Sequence, residues 1–143
     1  MLFSPSARYA ILALSYLAGQ DATKPLSVAS IAESAGVPAK FLAKILVNLK
    51  NSRILRAVKG PGGGYYLNRE PEDILVTDIV TAVDPNTGKA EACVLGLDSC
   101  SDAHPCPLHF EWKSIRDSLD TKFNKITVKE LSVKLAEKRA HLI

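Results

Sequence analysis

Apolar residues recur every three or four positions through the first fifty residues, a pattern that predicts three amphipathic helices. The first runs from Ser6 to about Gly19, and the second begins at Ser27, its expected N-cap, and ends at Gly36. Pro38 opens the third helix, which ends near residue 51. We predict that one face of this third helix is buried; it consists of Phe41, Leu42, Ile45, Leu46 and Leu49.

The hydrophobic pattern then changes to that of a β-hairpin, with strands at Ile54–Lys59 and Tyr65–Asn68 around a glycine-rich turn. Residues 84–108 are rich in Pro, Gly, Asp and Ser and predict an irregular loop. Helices are expected at Ile74–Val83, from Pro107 to about Phe123, and at Thr127–Arg139. We therefore expect a mainly α fold with a small β-wing, in three parts: a DNA-binding domain (1–84), a cysteine loop (85–108) and a C-terminal dimerisation part (109–143).

The second and third predicted helices, joined at Gly36, have the arrangement of a helix-turn-helix. Its second helix would enter the major groove of DNA, which is just wide enough for it. The outer stripe of that helix carries Lys40 and Lys44 and no acidic residue, while the small Ala39 and Ala43 permit close approach to base edges. A helix, a glycine and a second helix are common in helical proteins, so this feature alone is weak evidence.

The hairpin that follows fits the wing of a winged helix-turn-helix protein. Lys59 stands beside the turn Gly60–Gly64, whose three consecutive glycines let the backbone approach a phosphate or a minor groove. A P-loop is excluded because no Lys-Ser or Lys-Thr follows the glycines. A wing directly after a helix-turn-helix is a specific combination, and it predicts DNA binding. The candidate DNA-binding residues in these elements are Ser27, Ala39, Lys40, Ala43, Lys44, Lys59, Gly60, Pro61, Gly62, Gly63, Gly64 and Tyr65.

Composition and charge agree with a polyanionic partner. The chain has 143 residues, 47% of them hydrophobic, and a net charge of +3. Residues 1–68 contain eight basic and two acidic residues, whereas residues 69–143 contain ten basic and thirteen acidic ones. No apolar run approaches the roughly 18 residues that cross a bilayer, and Ala10–Ala18 reads as an amphipathic helix rather than a signal peptide. We expect a cytoplasmic protein that does not bind membranes.

Three segments together resemble the IscR/NsrR family of bacterial winged-helix regulators: Ser6–Ala10, the helix-turn-helix, and Lys59–Tyr65 with its sequence KGPGGGY. The resemblance spans nearly the whole chain. It implies a homodimer that binds double-stranded DNA at a roughly palindromic operator, with Arg8 and Tyr9 near the DNA backbone. Some members use an acidic residue at the Arg8 position to ligate a cluster across the dimer, which an arginine does not do.

Three cysteines, Cys93, Cys100 and Cys106, lie in the predicted loop, and His109 follows three positions after the last. An odd number of cysteines in a reducing compartment argues against a disulfide framework, and their clustering suggests metal. Thiolates and imidazole suit both zinc and iron–sulfur clusters. The gaps of six and five residues fit paired zinc ligands less well. Structural zinc and three thiols without metal both remain open on the residues alone.

The family resemblance implies that these cysteines bind an iron–sulfur cluster, with His109 as the fourth ligand and His104 as a competing candidate. Three thiolates and one imidazole favour a two-iron cluster and leave a four-iron cluster possible. The expected function is a DNA-binding regulator, for instance a repressor, switched by redox state, iron or nitric oxide. The alternative is a regulator without a cluster that responds through its thiols or a small ligand. An enzyme using Cys106 and His109 is not expected, because no oxyanion hole or substrate pocket accompanies them.

The long helix after Pro107 carries an apolar stripe beyond the predicted DNA-binding domain. Such a stripe suggests pairing with the same helix of a second copy, which would place two recognition helices about one DNA turn apart. The alternative is packing on its own domain. The residues of the stripe are Leu108, Trp112, Ile115, Leu119 and Phe123.

Overall fold

The computed structural model of the chain describes residues 3–85 and 93–141. The described residues form a mainly helical fold with one two-stranded antiparallel sheet, which confirms the predicted fold class. In chain order the elements are α1 (Pro5–Ala18), α2 (Val28–Ala35), α3 (Ala39–Asn51), β1 (Leu55–Val58), β2 (Gly64–Leu67), a 3-10 turn (Pro71–Asp73), α4 (Val76–Val83), α5 (His109–Phe123) and α6 (Val128–Ala140).

Helix α1 lies at the centre of the hydrophobic core. The helix begins after Ser4, whose hydroxyl oxygen accepts a hydrogen bond from the Ala7 N–H at 3.1 Å, and it ends at Gly19. Helices α2, α3, α4 and α6 all pack against it. Small alanines at Ala10 and Ala13 let these neighbours approach closely, and Leu14 fills the space between them. The core therefore includes the helix-turn-helix and the C-terminal helix together.

The helix-turn-helix forms as predicted. The Ser27 hydroxyl caps α2 by accepting from the Ser30 N–H at 3.1 Å, and Gly36 ends that helix in the left-handed conformation, at φ 71°. One residue of the predicted buried face of α3 is placed wrongly: Phe41 is 57% exposed. The core accommodates only one stripe of α3, centred on Leu42 and Leu46, and Phe41 lies on the flank of that stripe.

The wing is attached to the start of α2 by backbone hydrogen bonds. Strands β1 and β2 pair with Val58 opposite Gly64. The Tyr65 N–H also donates to the Leu26 carbonyl at 2.8 Å, and the Leu26 N–H donates to the Tyr65 carbonyl at 2.9 Å. A Cβ on Gly64 would lie 2.1 Å from the Leu26 carbonyl oxygen, so only glycine fits this close approach. The wing and the helix-turn-helix are therefore joined by direct backbone contacts.

The C-terminal helix is built into the same core. Val128 at the start of α6 is buried, its N–H donates to the Ile74 carbonyl at 2.8 Å, and the Val76 N–H donates to the Ile126 carbonyl at 3.0 Å. The expected N-cap at Thr127 is present. These bonds also explain why α4 begins at Val76 rather than at the predicted residue 74, because Ile74 is extended and pairs with the C-terminal segment.

Helix α5 contrasts with this compact unit, since His109 is the only buried residue among its fifteen. Leu108, Phe110 and Ile115 are 47%, 60% and 54% exposed. The segment 93–108 before it contains no helix or strand, and the part of the predicted loop at 86–92 lies outside the described residues. Among the described residues, no helix is both long and apolar enough to span a membrane.

Candidate functional site

The outer face of α3 is open to solvent and carries only basic charge. This face consists of Ala39, Lys40, Phe41, Ala43, Lys44 and Val47, all of them exposed. The opposite side of the helix is fixed in the core through Leu42, Leu46 and Leu49. Lysines can bind phosphates and guanine edges, and exposed apolar groups can contact thymine methyl groups. The face has the chemistry of a recognition helix, and its two apolar side chains extend the predicted contact set.

The predicted wing residues divide into two groups. Lys59, Gly60, Pro61 and Gly62 form the exposed tip of the wing, and a Cβ on Gly60 or Gly62 would meet nothing within 4 Å. By contrast, a Cβ on Gly63 would lie 2.2 Å from the Val58 carbonyl oxygen. Gly63 and Gly64 are therefore required by packing within the protein, whereas the tip is free to face a ligand.

The remaining predicted DNA-binding residues are Arg8, Tyr9, Ser27 and Tyr65. Arg8 is exposed on the first turn of α1, and Ser27 is exposed at the N-terminus of α2. Both tyrosines are half-buried and pack against the core. Arg8 and Ser27 are accessible to a DNA backbone, while Tyr9 and Tyr65 contribute mainly to packing.

Two exposed arginines beside the wing were not among the predicted residues. The Arg56 guanidinium lies 5.6 Å from the centre of the Tyr66 ring, an arrangement that stiffens its position on the sheet. Arg53 has a positive φ of 61° in the turn between α3 and β1. Both contribute to the basic first half of the sequence, which was the available signal for them.

The three cysteines and His109 come together in two donor pairs. The Sγ atoms of Cys93 and Cys106 are 4.0 Å apart, and the Cys100 Sγ lies 3.1 Å from the Nδ1 of His109. His104, the competing candidate, is exposed. Within the described part of the chain, no group of three or more His, Cys, Asp or Glu side chains is placed to hold a single metal ion.

Polar contacts fix the position of the His109 ring. The ring is only 2% exposed, and its Nε2 lies 2.6 Å from the Oδ1 of Asp102. The other carboxylate oxygen of Asp102 accepts from the Lys113 ammonium at 2.8 Å. The hydrogen bond from Lys113, followed by that from His109, lowers the pKa of Asp102 to about 2. Asp102 is therefore a stable anion, which favours an Nε2–H donor and leaves Nδ1 directed at Cys100.

Backbone and arginine groups place positive potential around the thiols. The N–H groups of Leu97 and Leu95 lower the pKa of the Cys93 thiol. The Arg116 guanidinium approaches the Cys100 sulfur at 3.7 Å. The lowered pKa favours the Cys93 thiolate, the form in which cysteine binds metals or reacts with oxidants.

The side chains that hold the cysteine loop lie on one face of α5. His109, Lys113 and Arg116 follow at i, i+4 and i+7, and they contact Cys100 or Asp102. Sequence reasoning found the histidine and missed the other members, Asp102 among them. The spacing of Lys113 and Arg116 at i+4 and i+7 from His109 was the signal that could have identified them.

The chain matches proteins of known class over nearly all of its length. The family profile described as an iron-dependent transcriptional regulator, Rrf2, matches residues 3–134. A candidate HTH-type transcriptional regulator of Aquifex aeolicus (strain VF5) is 35% identical over 92% of this chain and 91% of its own length. The HTH-type transcriptional regulator IscR of an Enterobacter species (strain 638) is 31% identical over 92% of this chain and 79% of its own length.

The fold also matches that of a solved regulator. The structure of CymR, the global cysteine regulator of B. subtilis, superposes with a TM-score of 0.75 at 25% identity, covering 94% of this chain and 98% of that one. These relatives are regulators and not enzymes, as the sequence predicted. By family profile, sequence identity and fold, the chain belongs to the Rrf2 family of DNA-binding transcriptional regulators.

Proposed function

We propose that the protein is a homodimeric winged-helix regulator whose affinity for a palindromic operator is set by a two-iron iron–sulfur cluster. Its ligands would be Cys93, Cys100, Cys106 and His109. The observation that carries the proposal is that these donors, which lie between residues 93 and 109, form two close pairs.

The distance within each pair fits two ligands of one iron, and two such pairs would serve a two-iron cluster. Two thiolates on one tetrahedral metal, each at about 2.3 Å, are about 3.8 Å apart, close to the 4.0 Å between Cys93 and Cys106. The second pair, Cys100 with His109, would serve the second iron. A bound cluster would supply redox chemistry and sensitivity to oxidants or nitric oxide, and its potential would depend on the surrounding hydrogen bonds.

Asp102 supports this assignment from outside the donor set. Metal-binding histidines usually donate their second ring N–H to a carboxylate, which fixes the tautomer and the ring orientation. Asp102 is in that position on His109, and Lys113 holds the carboxylate in turn. The chain would thus present Nδ1 of His109, already oriented, beside the Cys100 sulfur.

For DNA, we propose that the outer face of α3 enters the major groove and the wing tip approaches the adjacent minor groove. The exposure of Lys40, Lys44 and Lys59, without acidic neighbours on α3, supports this orientation. The exposed Leu108 and Ile115 support pairing of α5 with a second copy, because a partner helix would cover them. The other residues of the predicted stripe, Trp112, Leu119 and Phe123, are half-buried within the chain itself.

The proposed coupling runs from the loop through α5 to the DNA-binding unit. The loop is fastened to α5 through three side chains, and α5 continues into α6, which packs on α1. Losing the cluster would remove its bonds to the cysteines and to His109 at the start of α5, so that the loop would be held only by its side-chain contacts. The two heads of the dimer would then change their spacing and so their fit to the operator.

Anaerobic purification with iron and sulfide assays and a visible absorption spectrum tests the cluster. We expect a coloured protein with two irons and two sulfides per chain, as a two-iron cluster requires. His109→Ala should lower the iron content and shift the absorption, whereas the exposed control His104→Ala should match the wild type. A colourless protein after anaerobic reconstitution would contradict the proposal.

A second candidate function is regulation through thiols without a cluster. The 4.0 Å separation of the Cys93 and Cys106 sulfurs, and the fold shared with CymR, favour it. Hydrogen peroxide would take two electrons and two protons from the two thiols, forming one disulfide and two water molecules. Under this alternative, iron-free protein would bind its operator differently before and after oxidation, and Cys93→Ser would abolish the difference.

A further inference from the structure

The C-terminal end of α2 has an unusual source of hydrogen bonds. The last four carbonyl groups of a helix have no partner within the helix. In α2, the N–H groups of Gly36 and Val37 serve two of them, donating to Glu33 at 3.3 Å and to Ala32 at 2.9 Å. The carbonyls of the last two residues of the helix are left for another donor.

Arg139 supplies both missing bonds. Its Nη1 donates to the Ser34 carbonyl at 2.8 Å and its Nη2 donates to the Ala35 carbonyl at 2.9 Å. These partners lie more than one hundred residues away in sequence. The planar guanidinium serves two neighbouring acceptors at once, and its charge is favourable at the negative end of the helix dipole. A lysine could not make both bonds in this fixed geometry.

The contact joins the last turn of α6 to the turn of the helix-turn-helix. Residues Gly36–Pro38 follow directly and set the direction in which α3 leaves. At its other end, α6 is held by the Val128–Ile74 hydrogen bond, just after α5 ends. Along its length α6 lies so close to α1 that a Cβ on Gly19 would come 3.2 Å from the Ser132 hydroxyl oxygen. Helix α6 therefore connects the end of α5 with the turn between α2 and α3.

We propose that Arg139 is a positioning residue for DNA recognition, which fastens α6 to the turn between α2 and α3 and so fixes the orientation of α3 relative to α5. Its guanidinium acts on backbone carbonyls and not on DNA phosphates. The inference needs only the DNA-binding function of the family. It would hold whether the cysteine site binds a cluster or not.

Arg139→Ala should weaken binding to an operator selected from random DNA by the wild-type protein by about tenfold, the size of effect typical of residues that act on a binding site without touching its ligand. Affinity for unrelated DNA should be unchanged, because the phosphate-binding cations remain. Arg139→Lys, which keeps the charge, should not restore operator binding. Lys138→Ala is the matched control, and it removes a neighbouring exposed charge with no expected effect.

The salt dependence of operator binding separates positioning from direct contact. Arg139→Ala should leave the slope of log affinity against log salt unchanged, whereas loss of a phosphate contact lowers it by about one unit. Hydrogen exchange should accelerate at Gly36 and Val37 and remain as in the wild type in the α1 core. Wild-type operator affinity in Arg139→Ala, rescue by Arg139→Lys, or a slope reduced by one unit would each overturn the proposal. Exchange that rises throughout the core would show a general structural role and would also overturn it.

Discussion

The helix-turn-helix and the cysteine region differ in how much of their apolar surface is buried within the chain itself. The first, with its wing and α6, surrounds α1 with a continuous apolar core, and Arg139 of α6 satisfies the last carbonyls of α2. The second, residues 93–123, has exposed leucines, three free thiols and a helix that buries one residue. The helix-turn-helix is therefore completed by the core of its own chain, whereas the cysteine region leaves several apolar side chains exposed.

Replacing a leucine by alanine should lower the free energy of unfolding much more in the helix-turn-helix than in the cysteine region. Leu42→Ala removes a fully buried side chain under α3 and should lower the free energy of unfolding by about 2–5 kcal/mol. Leu97→Ala in the cysteine loop removes a side chain that is 57% exposed and should cost less than about 0.5 kcal/mol. Urea denaturation of both variants measures this. Similar losses would contradict the comparison.

The two ends of the wing's glycine run should also respond differently. Gly64→Ala places a Cβ against the Leu26 carbonyl and should cost about 3 kcal/mol, with detachment of the wing from α2. Gly62→Ala, at a φ of 75° in open space, should cost only about 1 kcal/mol, from backbone strain. Thermal unfolding of the two variants measures this difference. An equal shift in Tm would show that Gly62 and Gly64 do not differ in their structural role.

A charge introduced on the exposed face of α5 should prevent dimer formation without unfolding the DNA-binding unit. Ile115→Glu places a carboxylate on the proposed dimer face, where burial of an unpaired charge is unfavourable. We expect monomers by sedimentation, together with native helical content. Operator affinity should fall more than about tenfold, because one half-site then binds alone. A dimer that persists in this variant would show that α5 does not form the interface.

The smallest effect is expected at the wing tip. Lys59→Ala should weaken operator binding moderately and lower its salt slope by about one unit, as loss of one phosphate contact requires. Lys129→Ala, an exposed lysine on α6, serves as the control. Unchanged binding of Lys59→Ala at physiological salt would remove the wing from the interface.

Local patterns in the sequence were sufficient to predict the elements of the compact region. The caps at Ser27, Gly36 and Thr127 depend on neighbouring residues, and each was found where the pattern placed it. Phe41 was assigned wrongly because periodicity does not show how wide a stripe the core covers. The need for glycine at position 64 arises from Leu26, a contact between segments far apart in sequence.

The candidate site was predictable only in its donors. Cysteine and histidine identify themselves by chemistry, but Asp102 is one acidic residue among several, and its role depends on the fold of the loop around His109. The Arg139 contact with Ser34 depends on the packing of α6, which no local pattern contains. Long-range contacts of this kind must be read from the structure.

Hydrogen exchange of the anaerobically purified protein, before and after removal of iron by a chelator, shows whether the cysteine region depends on its metal while the helix-turn-helix does not. We expect faster exchange after removal at residues 93–123, and unchanged exchange in the buried parts of α1, α2 and α3. Uniform acceleration through α1–α3, or no change at 93–123, would contradict this expectation.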